Sequence, residues 1–223
     1  MKSIVKPNST TATADWLVPI ALIALAFIPI AAGTFRLTTL GSGAPVTANT
    51  LRFVTSPIPV ILHIVSVTIY SLLGAFQFST GLRRRWPGWH RAAGRVLVGA
   101  GLVAALSGLW MASFYAIVPA DTLLLHVLRL FFGAAMAVSI VLGLVAIRRR
   151  NVGQHLAWMR RAYAIGLGAG TQALIRIVPE VLFGKPDPDS LALLMGAAWM
   201  INLAVAEWLI RRHPRPRARA VGV

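Results

Sequence analysis

The chain has 223 residues, of which 57% are apolar and 13% charged, with a mean hydropathy of +0.72. A soluble domain carries about a quarter charged residues, so this composition excludes a water-soluble fold, and its apolar content equally excludes disorder. The net charge of +16 comes from 22 lysines and arginines against 6 aspartates and glutamates, and in so apolar a chain it points to positive-inside membrane topology rather than nucleic-acid binding. Cysteine is absent, which removes disulfides, iron–sulfur clusters and thiolate zinc sites.

A helix that crosses a bilayer needs about 20 mainly apolar residues. Six stretches meet that need in chain order, at 16–35, 59–82, 92–118, 122–147, 154–181 and 191–210. The expected fold is therefore all-α: a six-helix transmembrane bundle in one domain over 1–213, followed by a basic, disordered tail at 214–223. In the first stretch Ala31-Ala32-Gly33 resembles a signal-peptidase site, but the apolar run is too long for a signal core and reads as an uncleaved anchor. The segment 37–56 is rich in Gly, Thr, Ser and Pro, and is the candidate cap over one end. Asp121-Thr122 and Asp189-Ser190 are N-cap types ahead of the fourth and sixth spans, and 184–188 cannot continue a helix. The glycine-rich run 166–170 lies inside a span with no strand before it, so it predicts close helix packing, not a nucleotide loop.

Cations set the orientation. With the N-terminus inside, five arginines fall in each of 83–95, 148–161 and 211–219, whereas the outer segments hold only Arg36, Arg52 and Lys185. Both termini are expected on the cytoplasmic side of the membrane, with membrane lipids as the immediate partners and no nucleic acid.

The middle four spans carry a repeat. Residues 83–95 and 148–160 both fit RRR-x-x-G-x-H-x-x-x-x-R, and each is preceded by a Leu-His pair, at His63 and His126. Two hairpins related by a parallel repeat follow, which would set His63 against His126 and His90 against His155. From His63 to Leu82 is roughly 28 Å of helix, so the two pairs belong to opposite faces of the bilayer.

Histidine inside a span is costly and marks function by default. Two imidazoles facing across a helix bundle are the axial ligands of a six-coordinate b-type haem, so His63, His126, His90 and His155 are candidate iron ligands for two haems. Gly94, Gly101 and Gly108, seven residues apart from one another, follow His90, and Gly133 stands seven after His126, where small residues would clear a flat cofactor or simply let helices approach. Arg129 and Arg176 are candidates for haem propionates; the alternatives are snorkelling to the surface or an ion pair with Glu180. Zinc or copper would want further donors that neither pair has nearby. The expected function is transmembrane electron transfer, with a quinol or a cytoplasmic reductant as donor. The competing readings are a cofactor-free transporter or lipid- and anion-binding protein, and a structural subunit of a larger complex; whether the chain is an enzyme stays open.

The pieces LHIVSVTIYSLLGAFQF, WHRAAGRV and HLAWMRRAYA, with Thr171 and Arg176 after them, resemble a bacterial multi-pass membrane family, the domain-of-unknown-function 2306 family. That resemblance implies a polytopic membrane protein and no particular reaction. In arrangement alone, histidines on spans two to five, paired two with four and three with five, are similar to the ascorbate-reducible di-haem b-type cytochromes, which implies electron transfer across the membrane.

Overall fold

The structure, a computed structural model, describes residues 9–43, 45–48, 50–118 and 122–212. Among the described residues there are helices and no strands. Six helical stretches are long and apolar enough to cross a membrane: Trp16–Gly41, Pro57–Phe78, Pro87–Phe114, Leu123–Arg148, Val152–Phe183 and Pro188–Arg211. Asp121 and the tail beyond residue 212 lie outside the described residues.

Helix ends depart from the hydropathy reading where a specific cap intervenes. The first helix, α1 (Ser9–Gly41), runs on into the segment expected to be a loop, and a one-turn helix, α2 (Leu51–Thr55), follows it. Next comes α3 (Pro57–Ala75), which tightens into a 3-10 turn at Phe76–Phe78. Ser79 is extended, and its hydroxyl accepts the Leu82 N–H to start a separate short helix, α4 (Thr80–Arg85). Arginines 83–85 thus leave the membrane helix on an element of their own. Pro87 then opens α5 (Pro87–Phe114), because a fixed φ and a missing N–H do no harm in a first helical turn.

The second hairpin is punctuated in the same way. Thr122 caps α6 (Leu123–Arg148) through the Leu125 N–H, and Asn151 caps α7 (Val152–Gly166) through the Gln154 N–H. Between them Arg150 takes the left-handed φ of 59° that turns the chain. The fifth span is two helices, α7 and α8 (Gly168–Phe183), interrupted at Leu167. The cap of α9 (Pro188–Arg211) is Asp187 rather than Asp189: its carboxylate accepts the N–H groups of Asp189 and Ser190. Bonding from Ser190, side chain and backbone, holds the Asp187 carboxyl below the usual carboxylate range.

Lipid offers no hydrogen bonds, so the break at Leu167 needs partners from the protein. Asn202 on α9 supplies them. Its amide donates to the Ala164 carbonyl (3.1 Å), and its own oxygen accepts the Thr171 hydroxyl (2.8 Å). Asn202→Leu leaves both groups unsatisfied. We expect a loss of about 2 kcal/mol, measured as a lower melting temperature of the detergent-solubilised protein. Further polar ties bind α7 to α9: Arg161 grips the Glu207 carboxylate with two bonds, the longer being 3.1 Å, and Arg160 donates to the Leu209 carbonyl (3.1 Å).

Packing order places the candidate residues. Helix α3 lies along α5, α5 along α6 and α6 along α7, and α7 closes the ring against α3. In this four-helix core α3 stands diagonal to α6, and α5 diagonal to α7. Outside it, α1 covers α3 and α8, while α9 covers α6, α7 and α8. The core centres on Tyr70, Phe132, Met136, Ile140 and Tyr163. Three glycines admit the tyrosines: Gly101 faces the Tyr70 ring and Ile140, Gly166 faces the same ring, and Gly74 faces Tyr163, whose hydroxyl donates to the Ser71 carbonyl (2.7 Å).

Candidate functional site

The histidines sit on the diagonals of the core: His63 on α3 and His126 on α6, His90 on α5 and His155 on α7. Two of them are held in the same manner. The Nδ1–H of His63 donates to the Ala104 carbonyl on α5 (2.9 Å), with the Ser107 hydroxyl 3.3 Å away. The Nδ1–H of His155 donates to the Gly143 carbonyl on α6 (2.9 Å). A carbonyl can only accept, so each of these Nδ1 atoms carries a proton, and in the neutral imidazole the lone pair then lies on Nε2. In both hairpins the tie runs to the partner helix of the same hairpin.

At the end away from the arginine clusters, His63 borders a cavity of about 350 Å³ within the bundle. Its wall draws on every helix of the core, together with α2, α8 and α9. Gly108 leaves room for the imidazole, since a Cβ there would stand 3.3 Å from its Cε1. Arg129 and Gly133 on α6 line the cavity, and His126 shares their helical face one turn nearer the helix start, without itself reaching the lining. Arg176 is placed elsewhere: it is exposed and paired with Glu180 at 3.4 Å.

The cavity also contains a residue that the sequence reading passed over. Arg52 enters from α2, whose neighbour Phe53 likewise lines the space. Several contacts hold α2 against the cavity. Tyr115 donates its hydroxyl to the Ser56 carbonyl (2.7 Å) and meets Phe53 edge-on (5.4 Å), and Arg52 donates to the Ala116 carbonyl (3.3 Å). Burial raises the Tyr115 phenol above its ordinary range, so it stays a neutral donor. From α1, Arg36 stacks on the Phe53 ring at 4.7 Å. The only sequence signal for Arg52 was its rarity, as one of few cations at this end.

At the arginine-rich end His90 and His155 lie within electrostatic reach of each other, with Arg83 and Arg91 close to His90. The Nδ1 of His90 and the Nε2 of Gln77 are buried without a hydrogen-bond partner among the described residues. Each such group costs about 1–3 kcal/mol, so both mark an interior that is incompletely satisfied by the protein. Among the described residues no three of His, Asp and Glu gather as a metal cage would require.

The seven-residue glycine pattern separates into different environments. Gly94 faces open space, Gly101 the Tyr70 ring, and Gly108 the His63 imidazole, while Gly133 packs on Leu109. The 166–170 run serves close packing as expected: Gly166 meets Tyr70, Gly168 meets the Trp199 indole, and Gly170 touches the Leu25 backbone carbonyl of α1.

Comparison with curated proteins and with solved structures gives no match. A family model described as predicted membrane protein (DUF2306) matches residues 60–210, a stretch that holds all four bundle histidines and most of the cavity wall but neither α1 nor α2. The chain, a multi-pass helical membrane protein, belongs to that family.

Proposed function

We propose that this protein carries electrons within the membrane on haem b held between its two hairpins, His63 with His126 toward the cavity end and His90 with His155 at the arginine-rich end. The observation that carries the reading is the repeated Nδ1 tie of His63 and His155. A metal-bound imidazole almost always gives its other N–H to a carbonyl or carboxylate, which fixes the tautomer and turns the remaining lone pair to the metal. A histidine that merely hid its polarity could satisfy the same bond. The reading gains from the placement of each histidine pair on diagonal helices of the core, from a cavity of ligand size beside His63, and from the electrostatic proximity of His90 to His155.

Protein purified from haem-replete cells should show a Soret band and a sharpened α band on dithionite reduction, with two haems per chain by pyridine haemochrome. A preparation with no Soret absorbance overturns the proposal. A second reading, binding of an anionic amphiphile without haem, is favoured by the two arginines that reach the cavity.

The arginine distribution supports a topology with both termini cytoplasmic. Because the native chain lacks cysteine, single-cysteine variants report sidedness cleanly. Lys185→Cys should react with an impermeant maleimide from the periplasmic side of intact cells, and Asn151→Cys only after lysis. The reverse pattern inverts the assignment.

A further inference from the structure

The cavity is amphipathic, with its charge at one end. Arg52 comes from α2 and Arg129 from the first turns of α6, so two arginines from separate elements line the same space. The rest of the wall is mainly apolar and runs through Phe132 to Met136, with His63, Tyr115 and Gln172 as its polar members. From Arg129 to Met136 is about 10 Å along the helix axis. Guanidinium is the side chain best shaped for two parallel bonds to a carboxylate, and such bonds strengthen where water is scarce. Helix α2 covers the charged end and is tied down by Tyr115 and by Arg36 through Phe53.

We infer that this cavity is a binding site for a carboxylate on an apolar body, the acid group clamped between Arg52 and Arg129 beneath α2 and the body lying toward Met136. The inference stands on the cavity and not on the haem proposal. Both porphyrin propionates and a free fatty acid present this chemistry, and the test separates them.

The test uses the full-length protein in detergent and two matched pairs of probes. One pair is metal-free protoporphyrin and its dimethyl ester, followed by fluorescence; the other is laurate and methyl laurate, followed by thermal shift. We expect the acid to bind about tenfold more tightly than the ester in at least one pair, as charge-assisted pairing at a sheltered site allows. Arg52→Gln and Arg129→Gln should each bring acid and ester near parity, while Arg52→Lys and Arg129→Lys keep part of the preference and show that the fold tolerates change there. Arg176→Gln, outside the cavity and paired with Glu180, should keep it in full. A preference confined to the porphyrin pair assigns the clamp to propionates. A preference confined to laurate keeps the clamp and removes haem from this end. Equal binding of acid and ester in both pairs, or a preference untouched in both glutamine variants, overturns the inference; a haem-loaded protein with that result keeps the electron-transfer proposal alone.

Discussion

In His63→Ala, one of two haem signals is expected to disappear while the other keeps its spectrum, and His155→Ala should remove the other one. The two residues sit on different diagonals of the core and are tied to different hairpins, so each variant reports on its own end. A haem deprived of one of its proposed histidine ligands would bind carbon monoxide or be shed, which an optical spectrum would detect without any assay of turnover. The fold should survive. With His63 gone, the Ala104 carbonyl still accepts the Ser107 hydroxyl at 3.1 Å, and Gly143 remains in an intact helix. Restoration of the missing band by added imidazole would separate loss of a ligand from loss of structure. If the four single alanine variants all keep the wild-type spectrum, the histidines are not the ligands.

The second large effect concerns packing. Gly170→Val should release α1 from α8, because even a Cβ at this position would overlap the Leu25 backbone carbonyl. A side-chain neighbour can rotate aside, whereas a carbonyl fixed in a helix cannot, so the helices must separate. Overpacking typically costs about 1–3 kcal/mol and sometimes more. Helix association in lipid depends on close backbone approach, so the loss is not recovered elsewhere. Three glycines make a graded series. Gly166→Ala meets only the Tyr70 ring at 3.0 Å and the end of Met136, and should be milder. Gly94→Ala meets nothing within 4 Å and should be neutral or slightly stabilising, by up to about 1 kcal/mol from helix propensity. Melting temperatures in one detergent would rank the three, and a Gly170→Val protein as stable as wild type would contradict the α1–α8 contact.

Local patterns in the chain predict some features and miss others for identifiable reasons. Six apolar stretches of sufficient length foretell six membrane spans, and Thr122 is punctuation read directly, whereas Pro87 and Asn151 open helices that hydropathy alone starts later, at 92 and 154. The stop at Ser79 is less visible, since the apolar run continues past it and only the cap bond to Leu82 ends α3's span. No proline stands near Leu167, and the local sign of a break is the glycine run 166–170, which reads equally as close packing. The stability of the break comes from Asn202, which is far away in sequence. The Arg176–Glu180 pair follows from their i,i+4 spacing. The shared cavity of Arg52 and Arg129 follows from no spacing at all.

Taken alone, the order of residues determined that this chain spans a membrane six times and carries histidines at two depths. Those properties depend on each segment's own length and polarity against lipid, a solvent that treats every helix alike. Only the tertiary structure decided that Tyr70 fills the space beside Gly101, that His63 and His155 are tied through Nδ1, and that Arg52 on a one-turn helix shares a cavity with Arg129. Each of these depends on which helices become neighbours and how they are rotated, and that is settled by side-chain fit across helices rather than by any pattern along one of them.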